Sequence, residues 1–194
     1  MTLGRGPNVP PSGYALLLGT LEARKNIGVV LDAFTRLARS GQPPKLVIAG
    51  STTPDATEWL ARIAQPPLRD IVEYAGYVPD DRREGLFAGA RMLLLPSLDE
   101  GFGLTALEAM SAGVPLVASN RGSLPEVVES GGILIEPHDM EGWASVIYRL
   151  AEDETMARDL GCAGLERAKA FTWEGTAARL AQAYRDAVAR RGAR

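Results

Sequence analysis

Apolar runs of strand length recur along the chain at residues 14–19, 45–49, 71–74, 91–95, 115–118 and 132–135, and helix-length segments separate them. In the clearest of these segments Ile27, Val30, Leu31, Phe34, Leu37 and Ala38 follow the i, i+3, i+4, i+7 stripe of an amphipathic helix, which Gly41 and Pro43 end. Further helices are predicted near 55–64, 80–88, 103–112, 124–129 and 139–151, the last with Asp139 as its cap. Runs such as Met92-Leu-Leu-Leu95 show no polar alternation, which predicts strands covered on both faces. Strand–helix alternation with short loops implies right-handed crossovers in one sheet. The expected fold is therefore α/β: a doubly wound, Rossmann-like parallel sheet of about six strands with helices on both faces. After Ala151 the chain turns helical, with segments near 154–170 and 173–190, the second capped by Thr172.

The 194 residues, 46% hydrophobic and 23% charged, suit a single α/β domain. With 21 basic against 24 acidic residues the net charge is −3, so no global field draws the chain to nucleic acid or an anionic membrane. A single cysteine, Cys162, excludes an intramolecular disulfide and fits a reducing compartment; its expected role is helix packing. The single histidine, His138, excludes His-rich metal sites and reads as a surface turn residue. Residues 1–12 are rich in Gly and Pro without an apolar stretch and read as a linker or leader; 13–172 form the lobe, and 173–194 a C-terminal helix. No run approaches the length of a membrane span.

Candidate chemistry concentrates in residues 96–115, where Glu100 and Glu108 flank a glycine-bearing strand-to-helix junction of the kind that binds phosphorylated ligands in parallel sheets. Leu104, Leu107 and Ser111 predict a core-facing stripe on the helix, and Glu108 falls on it, where a Leu or Ala is expected. Gly101 and Gly103 let the backbone pass close to a ligand, and the N–H groups of Gly103, Leu104 and Thr105 are free to meet an anion. The junction is neither a Walker loop nor the dinucleotide fingerprint, since position 106 is Ala and Glu precedes the first glycine. Arg24 and Lys25 precede the first helix, whose positive N-terminal end disfavours each by about 0.3–1 kcal/mol until an anion arrives. Ser123-Leu-Pro-Glu126 has the form of a capping box, and Glu126 completes that cap, faces a ligand, or does both. Neither Asp80-Asp81 nor Asp99-Glu100 makes an Asp-x-Asp metal motif, so no catalytic metal and no cofactor are expected.

Four stretches together resemble one family. Glu100 to Pro115 with its Glu-x7-Glu pair, Gly19-Thr-Leu-Glu-Ala-Arg-Lys-Asn26, Ser119-Asn-Arg-Gly-Ser-Leu-Pro-Glu126 and Phe171-Thr-Trp-Glu174 are similar to the retaining GT-B glycosyltransferases of the group 1 type. The resemblance runs from about Gly13 to about Tyr184 and covers only the C-terminal, donor-binding half of such an enzyme. It implies transfer of a hexose from a nucleoside diphosphate sugar to a sugar or lipid acceptor with retention, as in polysaccharide biosynthesis. It further implies an N-terminal lobe as partner, on which the last helix leans, and a cytoplasmic location, peripheral to the inner membrane face through that lobe. By resemblance Lys25 and Arg24 hold the diphosphate together with Gly101, Phe102, Gly103, Leu104 and Thr105. Glu108 takes the ribose hydroxyls, and Glu100 is catalytic beside the transferred sugar. The backbone of Gly76, Tyr77 and Val78 meets the base, with the Tyr77 ring packed rather than stacking. The chain departs from many relatives in carrying Gly19-Thr20 where they have Gly-Arg, which removes one phosphate-binding cation. Its Gly-Thr-Leu-Glu-x-Arg-Lys-Asn form resembles mannosyl-transferring members, favouring GDP-mannose over a UDP-hexose. The alternatives are a non-catalytic nucleotide-sugar binding module acting with a partner chain, an epimerase or phosphorylase of the same architecture, and an oxidoreductase, the last lacking the dinucleotide fingerprint.

Overall fold

The computed structural model describes residue 7, residues 9–41 and residues 43–192. Six strands, β1 (Tyr14–Leu18), β2 (Leu46–Ala49), β3 (Val72–Gly76), β4 (Ala90–Leu95), β5 (Leu116–Ser119) and β6 (Ile133–Ile135), form one sheet in the order β3-β2-β1-β4-β5-β6. Every pairing is parallel. The chain winds outward from β1 to β3, then returns to β1's other side as β4, and a crevice opens above such a reversal because the flanking loops diverge.

Alternation along the strands sorts the side chains into two cores. Ala15, Leu17, Met92 and Leu94 face one layer of helices, α1 (Ile27–Ser40), α2 (Ala56–Ile63) and α6 (Met140–Glu152). Leu16, Leu18, Leu93 and Leu95 face the other, α3 (Asp80–Gly89), α4 (Leu104–Ser111) and α5 (Leu124–Val128). Both faces of the central strands are dry, which explains why their sequences carry no polar alternation. Each fully buried Leu, Ile or Phe contributes about 1.5–3 kcal/mol. Helix α7 (Glu154–Ala168) closes the sheet's β6 side against α4 and α6, and α8 (Trp173–Gly192) follows with its described residues exposed.

The predicted caps at Asp139 and Thr172 both form: Gly142 N–H donates to Asp139 Oδ1 at 2.9 Å, and Gly175 N–H to Thr172 Oγ1 at 3.0 Å. The capping box at Ser123 does not form. Ser123 sits in helical conformation and its hydroxyl donates to the Glu100 carbonyl at 3.0 Å, a long-range acceptor that outbids the local one. Cys162 is exposed rather than packed, because α7 meets its neighbours through Ala157, Gly161 and Gly164 and turns the cysteine outward. His138 is an exposed turn residue, as expected. Among the described residues no helix is long and apolar enough to cross a membrane.

Candidate functional site

The loop after β1 folds into a short 3-10 turn, Ala23–Lys25, that carries the two cations to the crevice floor. Lys25 is only 9% exposed, and its Nζ donates to Glu100 Oε1 at 2.5 Å. Arg24 lies 3.5 Å from the other Glu100 oxygen, donates to the Asp99 carbonyl at 3.2 Å, and pairs with Glu22 at 2.6 Å. The expected disfavour of the two cations at a helix N-terminus is therefore corrected. Glu100, 75 residues from Lys25 in sequence, supplies the countercharge that no local reading could assign. Burial alone would push the Glu100 carboxyl up; hydrogen bonds from Lys25 and Ser97 and the charges of Lys25 and Arg24 outweigh it and hold the group below its ordinary 4.5.

Backbone and small polar side chains fix where Glu100 stands. Ser97 Oγ donates to its Oε1 at 2.8 Å. Ser119 Oγ donates to the Ser97 carbonyl, and the Ser123 N–H donates to the Glu100 carbonyl at 3.1 Å. Asn26, left-handed at φ 51°, ties the three loops after β1, β4 and β6 together: its Nδ2 donates to Pro96 O at 3.2 Å and Pro137 O at 2.8 Å. Gly122 passes so close that a Cβ there would meet the Glu100 backbone N and O at 2.7 Å, at a φ of 57° that already favours glycine. Sequence reasoning assigned no site role to Asn26, Ser97, Ser119 or Gly122. The run Ser119 to Glu126 was legible as a motif, but not as the cradle of a distant carboxylate.

Across the crevice, α4 starts at Leu104 after Gly103, whose φ is 85° and which offers no side-chain cap, so the N–H groups of its first residues, Leu104 and Thr105, have no acceptor within the helix. The predicted core stripe of this helix is overturned. Its buried face is Ala106, Ala109 and Met110, while Leu104 is 61% exposed and Ser111 exposed. Leu107, alone of the predicted stripe, packs against the core from its edge, while Leu104 stays out beside Phe102, itself 49% exposed and edge-on to Phe171. Glu108 consequently stands at the helix edge, 38% exposed, and accepts from Arg83 of α3. Arg83 is a further residue the sequence did not single out.

At the end of β3 the Gly76 carbonyl accepts from the Gly50 N–H at 2.8 Å, and Val78 is partly buried against the core. Tyr77, expected to pack, is 70% exposed, since it follows the last strand residue at the sheet's edge and has no layer above it. Glu126 is exposed on α5, and its carbonyl accepts from Arg167 at 2.7 Å. The structure thus gathers Arg24, Lys25, Glu100 and the Gly101–Thr105 junction at the switch point, and places Glu108 and residues 76–78 along the same carboxyl edge.

A profile of the family Glycosyl transferases group 1 matches residues 7–167. The chain belongs to this family. The group 1 chain is 37% identical over 174 residues to O-antigen chain mannosyltransferase B of Escherichia coli, covering 89% of the chain and 46% of that protein. It is also 37% identical over 188 residues to MMP alpha-(1->4)-mannosyltransferase of Mycolicibacterium hassiacum, covering 94% and 42%. It therefore spans less than half the length of these curated relatives. Among solved structures, sucrose-phosphate synthase from Thermosynechococcus elongatus superposes with TM-score 0.77 at 30% identity over 94% of the chain and 47% of that chain. The C-terminal domain of a glycosyl transferase group 1 family protein (LpcC) from Francisella tularensis gives TM-score 0.71 at 21% identity over 81% and 85%, a likeness of fold. A group 1 lobe with two cations, an open helix start and two separated carboxylates is chemically complementary to an anion joined to a polyol.

Proposed function

We propose that this chain binds a nucleoside diphosphate sugar in the crevice between β1 and β4 and, with a second lobe, transfers the sugar with retention to a sugar or lipid acceptor. Mannose is the favoured sugar, a reading supported by the mannosyltransferases among its relatives, and GDP is the favoured nucleotide from the form of residues 19–26 alone. The observation that carries the proposal is the Lys25–Glu100 pair beside the uncapped start of α4: a nearly buried cation whose present partner is a carboxylate, the kind of anion whose place a diphosphate can take. In this reading the diphosphate oxygens take over Lys25, Arg24 and the N–H groups of Leu104 and Thr105. Glu100, released from Lys25, accepts hydrogen bonds from the sugar and faces the positive charge that grows at the anomeric carbon as its bond to the diphosphate oxygen breaks. Glu108 accepts the ribose hydroxyls, and the 76–78 backbone meets the base. Lys25 and the helix start then stabilise the departing diphosphate, whose oxygen takes up the proton that the acceptor hydroxyl loses as its bond to the anomeric carbon forms.

Calorimetric titration of the chain with GDP, UDP, ADP and their hexose conjugates tests this. Diphosphate-dependent binding, tightest for GDP, with no transfer by the lone chain, is expected, because a single lobe leaves the donor open to water and the acceptor unplaced. Absence of binding to all three nucleotides would overturn the reading.

A further inference from the structure

At the other end of β4 lies a group that the donor crevice does not use. Arg91, the strand's second residue, is 1% exposed. Its Nε donates to the Leu150 carbonyl in the last turn of α6 at 2.8 Å, but its NH2 nitrogen is buried with no hydrogen-bond partner. Among the described residues Arg91 forms no ion pair, so a full positive charge lies inside the protein with one neutral acceptor. Such a charge is costly, and an orphaned donor of this kind marks a place where an ion or water belongs.

Arg91 lines a cavity of about 90 Å³ together with Pro7, Val9, Glu154 and Arg158. A single water needs only about 10–15 Å³ of such space, so a small polyatomic ion has room. Among the described residues the cavity walls carry two guanidinium groups and one carboxylate, a local charge of +1 in a chain whose net charge is −3. Asp153, the neighbouring acid, is spent as the cap of α7, where its Oδ1 accepts from the Met156 N–H at 2.8 Å. Arg91 and Pro96 lie five residue steps apart along β4 and just past its end, so the cavity lies about 16 Å from the donor loop at about 3.3 Å per residue.

We propose that this cavity is a second anion site, taking one small oxyanion of the phosphate or carboxylate class, with Arg91 as its buried donor and Arg158 as its rim cation. The planar guanidinium of Arg91 is anchored through Nε and lines the cavity with one nitrogen unspent, the kind of group that recognises a planar or tetrahedral oxyanion. Arg158, one helical turn beyond Glu154 on α7, closes the opening and tunes affinity.

Amide NMR of the whole chain, titrated separately with inorganic phosphate and with acetate against chloride at matched ionic strength, tests the site and distinguishes the two classes. Saturable shifts at Arg91, Glu154 and Arg158, separate from any at Leu104 and Thr105, are expected, and Arg158→Ala weakens them about tenfold or more through loss of one charge-assisted contact. Glu154→Gln tightens binding without lowering the melting temperature. Absence of saturable shifts at these amides, or shifts that Arg158→Ala leaves unchanged, would overturn the proposal. So would a lowered melting temperature for Glu154→Gln in a chain that ignores both anions, since Glu154 would then be serving Arg91 itself.

Discussion

Glu100 acts on stability and on ligand binding chiefly through its contact with Lys25, which Ser97 and Arg24 reinforce. With a folded-state pKa below its ordinary 4.5, the stability it contributes is present above that value and is lost as pH falls through the lower, folded one. Glu100→Gln should therefore flatten the acid limb of stability, read as a shallower fall of the urea midpoint between about pH 5 and pH 3 than in the parent. Parallel curves would remove Glu100 from that limb. The same substitution frees Lys25, so nucleoside diphosphate affinity should rise while transfer, measured with an N-terminal lobe supplied, should fall. Lys25→Ala has the opposite signature. It strips a mostly buried carboxylate of its best partner and should cost about 1–3 kcal/mol of stability, besides weakening diphosphate binding by about 1.5–3 kcal/mol. A variant that binds GDP and UDP as the parent does would refute the phosphate role of Lys25.

The elements meet the site through loops, and the loop after β5 carries more of its geometry than its length suggests. Gly122→Ala places a methyl 2.7 Å from the Glu100 backbone at a left-handed φ, and should cost about 1–3 kcal/mol while displacing the carboxylate and weakening donor binding. Gly85→Ala is the matched control: it lies within α3, where a Cβ meets nothing within 4 Å, and should stabilise by about 0.5–1 kcal/mol with nucleotide affinity unchanged. Thermal melts and nucleotide titrations of both variants check this. Equal behaviour of the two would mean that the 119–123 loop does not position Glu100.

For the whole molecule, the last helix stands apart from the two cores. Trp173, Leu180, Tyr184 and Val188 lie on one face of α8 and are 83%, 53%, 66% and 72% exposed. Because α8 covers little of the core, a chain ending at residue 172, which keeps Phe171 against Phe102, should melt within about 2–4 °C of the full one, a shift under about 1 kcal/mol. A much larger drop would show that α8 packs on this lobe in solution. Truncation should leave nucleotide binding intact.

The alternation of apolar runs with amphipathic segments determined the six strands and eight helices to within a residue or two, because both faces of a parallel sheet impose their pattern on nearest neighbours in sequence. The caps at Asp139 and Thr172 were legible for the same reason, each being a contact across three residues. What only tertiary structure decided involves partners far apart in the chain. Lys25 meets Glu100 across 75 residues, Arg83 meets Glu108 across 25, Asn26 meets Pro137 across 111, and Ser123 turns to Glu100 rather than to its own helix. A local pattern records which face of an element is dry. It does not record which distant charge neutralises a buried one, because that choice is made when the strand order brings β1, β4 and β5 side by side.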